Sequence, residues 1–176
     1  VLWTNPRPGT WEKLAEITDF STTSFSHTLP EGSHRLFLTA EDRMGNQSPP
    51  PGPDTSPHLE ITVDTTPPVP SWDVGILPRP SPGTLLAGKD LPLAWRCQEL
   101  NQVPQAARLE FSRDGGKTWE TVADGLPSAG SYDWKIPLLT TKQGKLRLAV
   151  KDGAGNLGTA EYPESLSIDG NHTRAD

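Results

Sequence analysis

The sequence predicts an all-β fold of two tandem antiparallel β-sandwiches, and three observations predict it. Glycine and proline number 16 and 19 among 176 residues, close to a fifth of the chain. That density of breakers excludes long helices, coiled coil and a doubly wound α/β architecture. Apolar and polar residues alternate over segments of four to seven positions, the mark of half-buried strands. The pattern also recurs once along the chain, with Trp11 answered by Trp119 and Gly45 by Gly155, offsets of 108 and 110. Self-similarity at that spacing means two copies of one fold.

The first copy begins with Leu2-Trp3-Thr4 and Gly9-Thr10-Trp11-Glu12, then Phe25-Ser26-His27-Thr28-Leu29. It continues through Leu36-Phe37-Leu38-Thr39-Ala40-Glu41-Asp42 and closes on Leu59-Glu60-Ile61-Thr62-Val63-Asp64. The second copy reads Glu110-Phe111-Ser112, Lys117-Thr118-Trp119-Glu120 and Tyr132-Asp133-Trp134-Lys135-Ile136. It goes on through Leu146-Arg147-Leu148-Ala149-Val150-Lys151-Asp152 to Leu166-Ser167-Ile168-Asp169. An upstream strand puts Leu91, Leu93, Trp95 and Cys97 on one face, and an edge strand is expected near Trp72. That makes about seven strands in roughly 100 residues, the count of an immunoglobulin-like or fibronectin type III-like sandwich.

The expected organisation is a partial sandwich over 1–66, a Pro-rich linker over 67–71, a complete sandwich over 72–170 and a disordered tail over 171–176. Pro67, Pro68 and Pro70 stiffen the linker towards polyproline II. Some 40 residues precede Phe111 in the second copy against two before Trp3 in the first, so the first copy is expected to lack its first two strands. With Val at position 1 and no leader-like segment, the chain reads as a piece of a longer protein.

Leu29-Pro30-Glu31-Gly32-Ser33-His34, Asp42-Arg43-Met44-Gly45-Asn46 and Val63-Asp64-Thr65-Thr66-Pro67-Pro68 resemble the bacterial Ig-like repeats of large exported proteins. In that family a D-x-x-G-N hairpin and a closing D-T-T-P-P recur from domain to domain. The second copy matches from Leu109 onward and ends on the weaker Ser167-Ile168-Asp169-Gly170. The resemblance implies a secreted or cell-surface location, a non-catalytic role, and partners among other domains of the same chain, a cell-surface protein or a polysaccharide.

Charge and cysteine content narrow the function classes. Residues 1–66 carry four Lys/Arg against nine Asp/Glu, and residues 67–176 carry twelve against thirteen, giving −5 and −1. That balance argues against nucleic-acid binding, which needs positive fields. No apolar run approaches the roughly 20 residues of a membrane span, so insertion is not expected. The lone Cys97 excludes an internal disulfide and a thiolate zinc site. No cofactor or metal is expected.

Several motifs invite a chemical reading and are better read as structure. Ser112-Arg113-Asp114-Gly115-Gly116-Lys117-Thr118-Trp119 fits the Asp-box of sialidase propellers, yet a propeller needs at least four blades. Here Asp114 is expected to accept bonds from turn amides, with Trp119 plugging the turn onto the core. The D-x-x-G-N turns suggest calcium, but each offers one Asp and one Asn where the ion wants six to eight oxygens. His27, His34, His58 and His172 show no metal spacing, and His27 stands where the second copy has Trp134, as a packed strand residue. Nucleophile elbow, H-E-x-x-H and phosphate-loop patterns are absent, so an enzyme is not expected. Five tryptophans read as core, with Trp72 the exception. Asn46-Gln47-Ser48 and Asn171-His172-Thr173 are formal glycosylation sequons, and 49–57 is a Pro-rich loop.

One surface differs between the copies. With Leu146, Leu148 and Val150 pointing inward, Lys145, Arg147 and Lys151 point outward, and Arg108 joins them from the neighbouring strand. The equivalent row in the first copy is Arg35, Phe37, Thr39 and Glu41. Arg108, Lys145, Arg147 and Lys151 are therefore the candidate ligand face. The expected function is that of spacer or adhesion modules of an exported bacterial protein. The alternative is an accessory polysaccharide-binding module of a secreted glycan-degrading enzyme, reading acidic polymers through that face.

Overall fold

The computed structural model describes residues 1–19, 21, 24, 26–73 and 84–170; these form strands, turns and loops, almost without helix. Two compact units result, Val1–Thr65 and Thr66–Asp176.

The first unit is one antiparallel sheet in the order β2-β1-β3-β4, from β1 (Leu2–Arg7), β2 (Thr10–Ala15), β3 (Gly32–Leu38) and β4 (Leu59–Val63). Arg7 pairs with Thr10, so Pro8 and Gly9 alone turn the first hairpin. Pro8 fixes one backbone angle, and Gly9 at φ +77 takes the left-handed position that other residues resist. Leu36 opposes Leu59 and Leu2 opposes Leu38, which places these leucines on one face. Trp3 opposes Phe37 on the other. Among the described residues of this unit only Leu36 and Thr39 are buried. Leu38, Leu59 and Ile61 remain 51, 53 and 40% exposed.

The strand expected over 25–29 is not formed across residues 26–29, and Phe25 lies outside the described residues. His27 is accordingly an exposed loop residue rather than a packed strand residue. No described strand of the unit pairs with residues 26–29, so their backbone groups have no ladder to join.

The second unit is a sandwich. Its three-stranded sheet runs β10-β7-β5, from β5 (Val69–Trp72), β7 (Asp90–Gln98) and β10 (Gly130–Lys135). The six-stranded sheet runs β6-β13-β11-β8-β9 with β12 also on β11. Its members are β6 (Leu85–Leu86), β8 (Ala107–Ser112), β9 (Glu120–Leu126), β11 (Thr141–Lys151), β12 (Leu157–Glu161) and β13 (Leu166–Asp169). All pairings are antiparallel except β6 with β13, where Ile168 faces Leu85 in parallel. Leu91, Leu93 and Trp134 from the smaller sheet meet Leu109, Phe111, Leu146 and Leu166 from the larger in one buried cluster. Trp95 joins Ala107, Leu148 and Val150 in a second.

Residues 69–71, expected as linker, belong to β5. Pro70 opposes Cys97 there, tolerated because β5 is an edge strand whose outer side needs no N–H donor. The tail over 171–176, with Asn171 and His172, lies outside the described residues.

Candidate functional site

Strand alternation places the candidate row as expected. Leu146, Leu148 and Val150 are buried while Lys145, Arg147 and Lys151 point away from the core. The register then decides what the row can do. Arg147 lies directly between Glu110 on β8 and Glu161 on β12. Its Nε and one terminal nitrogen donate to Glu110 Oε2 at 2.8 and 2.7 Å. Lys145 donates to Glu161 Oε2 at 2.9 Å, and Arg108 to Asp124 Oδ2 at 2.8 Å. The Arg108 hydrogen bond holds the Asp124 carboxyl below the usual range and lifts the guanidinium above its own. Lys151 is exposed and forms no ion pair among the described residues. Three of the four candidate cations thus bind carboxylates of neighbouring strands.

Trp119 lies on this same outer face, its ring 4.2 Å from the Arg147 guanidinium carbon. It is therefore not a core plug, which corrects the sequence expectation. The bulged hairpin between β8 and β9 carries it outside the sheet, where the cation covers its ring. In the first unit Trp11 makes the equivalent contact with Phe37, edge to face at 5.7 Å. Trp3 also stays partly exposed, its indole N–H donating to Thr39 Oγ1 at 2.9 Å. Trp72, the expected exception, packs against both core clusters and meets Trp95 and Tyr162 edge-on. Trp95 and Trp134, each 2% exposed, are core as expected.

The Asp-box turn is closed on itself. Asp114 Oδ1 accepts from Ser112 Oγ and from the Lys117 and Thr118 amides, and Oδ2 accepts from Thr118 Oγ1 at 2.6 Å. These donors, Thr118 foremost, hold the carboxyl far below its ordinary range. All of that bonding is internal to the turn.

The two D-x-x-G-N turns are built alike. Asp42 Oδ1 accepts from the Met44 and Asn46 amides at 2.8 and 2.9 Å, and Asn46 Nδ2 donates to Oδ2 at 2.7 Å. Asp152 Oδ1 accepts from the Ala154 and Asn156 amides at 2.9 Å each, and Asn156 Nδ2 donates to Oδ2 at 2.9 Å. Gly45 and Gly155 stand at φ +85 and +97, the left-handed backbone that the turn requires. The Asn46 amide of the first sequon is thus occupied by Asp42.

Cys97 is half-buried, and burial, helped by the Glu99 carboxylate, pushes its thiol pKa up. A thiol so placed is a poor nucleophile. His34 bonds the Pro30 carbonyl and His58 stacks on Phe37 at 3.8 Å. Sequence reasoning named the cations but missed Glu110, Asp124 and Glu161. Only register puts these acids beside Arg147, Arg108 and Lys145. Compared with known proteins, the chain matches no family profile and no curated sequence.

Proposed function

We propose that the chain provides two non-catalytic Ig-like modules, acting as spacer or adhesion elements of a larger exported protein. The observation that carries this reading is the repeated Asp-x-x-Gly-Asn turn, formed twice with the same carboxylate-to-amide bonds. A catalytic chain concentrates its unusual side chains at one place, whereas a modular chain repeats its structural ones. The polar residues with the densest bonding here, Asp42, Asp114 and Asp152, bond only within their own turns. Arg108, Lys145 and Arg147 pair with carboxylates, which takes weight from the polysaccharide-binding alternative at that face.

The test has two arms. The purified chain is assayed for turnover of glycan and ester substrates, and antibodies raised against it are used on fractionated source cells. We expect no turnover and a signal in the surface or culture-medium fraction. Turnover lost with an internal point substitution, or a purely cytoplasmic signal, would overturn the reading.

A further inference from the structure

An Asp-Gly pair is prone to close on itself, because glycine brings no Cβ to keep its nitrogen from the preceding carboxyl. The chain holds four such pairs, Asp114-Gly115, Asp124-Gly125, Asp152-Gly153 and Asp169-Gly170. The fold restrains three of them. The Asp114 carboxyl is taken by the Ser112 and Thr118 hydroxyls and the Lys117 and Thr118 amides. The buried Asp152 carboxyl is taken by the amides of Ala154, Gly155 and Asn156. The glycine nitrogen is itself engaged in two pairs: Gly153 donates to the Asn101 carbonyl and Gly170 to Thr140 Oγ1, each at 3.1 Å.

Asp124-Gly125 is arranged the other way. Ala107 opposes Leu126 and Leu109 opposes Ala123, so Asp124 and Gly125 together face Arg108 in a bulge of β9. Both residues are exposed, whereas Asp114 and Asp169 are half-buried and Asp152 is buried. Asp124 Oδ1 is folded back onto the Gly125 amide nitrogen, which donates to it at 2.9 Å. That nitrogen is the one that closes an Asp-Gly ring, and Cγ is one bond beyond Oδ1. Groups already held at contact distance need little further ordering to react. The other oxygen, Oδ2, accepts from Arg108 at 2.8 Å.

We infer that Asp124-Gly125 is a site of spontaneous conversion to isoaspartate, and that Arg108 restrains the reaction. The Gly125 nitrogen bonds to Asp124 Cγ, and the hydroxyl of the neutral carboxyl leaves with the amide proton as water. Water then opens the five-membered imide. Opening at Cγ restores aspartate. Opening at the Asp124 main-chain carbonyl carbon leaves the chain running through Cγ, one methylene longer. Water is the only co-reactant. Arg108 opposes the first step by holding the carboxyl in its charged form, which has no hydroxyl to lose. The product lengthens β9 at its bulge and shifts the carboxylate relative to Arg108. This modification goes beyond the modular reading and does not depend on it.

The test is a prolonged warm incubation of the complete chain at mildly acidic pH, with a parallel sample kept unfolded in guanidinium. Peptide mapping with electron-transfer fragmentation, which cleaves at the extra methylene, locates isoaspartate by position. In the folded chain we expect it to build up several-fold faster at 124 than at 114, 152 or 169. In the unfolded chain the four rates should converge. Arg108→Ala should raise the rate at 124 several-fold, while Arg108→Lys, which keeps a cation opposite the bulge, should stay near wild type. Circular dichroism checks that both variants keep the fold, and the comparison among the four pairs needs no variant. Faster conversion at another pair of the folded chain, the same preference for 124 in the unfolded chain, or no acceleration in folded R108A would overturn the inference.

Discussion

Asp42 and Asp152 occupy one role at positions 110 apart (152 − 42), and Asp114 occupies a third tight turn. Each carboxylate gathers amide donors that would otherwise face outward from a bend, and so fixes the bend. For Asp42 the Asn46 side chain is the largest influence, and it lowers the pKa. For Asp152 burial acts first and in the opposite direction, but donors from Asn156, Gly155 and Ala154 together outweigh it. All three carboxyls therefore lose their protons more easily folded than unfolded. As pH falls, the unfolded chain takes up protons first, near the ordinary carboxyl value of about 3.9. The stabilisation is complete above that value and is lost progressively below it. Asp114→Ala should lower the melting temperature of the second unit by a few degrees at neutral pH. The gap to wild type should close as the pH drops through about 4 and below. Thermal melts of both proteins from pH 7 to pH 2 check this; a gap that stays constant would contradict it.

At the scale of elements, β11 shows how a strand carries two messages at once. Its inward row, Leu146, Leu148 and Val150, is at most 1% exposed and makes the core. Its outward row meets acids across both neighbours. Arg147 is 29% exposed over Glu110 at 14%, covers Trp119, and so holds the outer face of the larger sheet together. Replacing Arg147 by Ala should cost about 1–2 kcal/mol, measured by denaturant unfolding of the second unit. The same pairing predicts that a titration with acidic polysaccharide yields no strong salt-sensitive association through this face. If the triple change of Lys145, Arg147 and Lys151 to Ala abolished measurable low-salt binding, the row would be a ligand face after all. In the first unit the corresponding pair is Trp11 with Phe37, an aromatic contact that salt does not touch.

Across the whole molecule the two units differ in how much apolar surface they cover. Among the described residues, the second has two sheets and 15 of the 16 buried hydrophobic side chains, and the first contributes Leu36. Burying a Leu or Ile contributes about 1.5–3 kcal/mol, so a unit with half-exposed Leu38, Leu59 and Ile61 forgoes much of its stabilisation. Heating should therefore unfold the first unit at lower temperature and the second later, as two calorimetric transitions. Trp134→Ala, removing a side chain 2% exposed at the centre of the sandwich, should lower only the later transition, by about 3–5 kcal/mol. A single cooperative transition shifted as a whole by that substitution would count against independent units.

The alternation of apolar residues, the breakers between segments and the repeat were enough to establish an all-β chain. They also marked the inward faces of β7 and β11, because a period of two is a local property that a strand carries with it. The Asp-centred turns were legible for the same reason: their donors and acceptors lie within four residues of each other. Contacts between distant segments were not legible. The acids beside Arg108, Lys145 and Arg147 and the outward placement of Trp119 depend on register and on where each loop crosses a strand. The strand expected around His27 failed for a related reason, since a short alternating segment becomes a strand only when a neighbouring strand pairs with it. Local pattern is written in neighbouring residues, whereas pairing and covering are decided by the free energy of the assembled sheets.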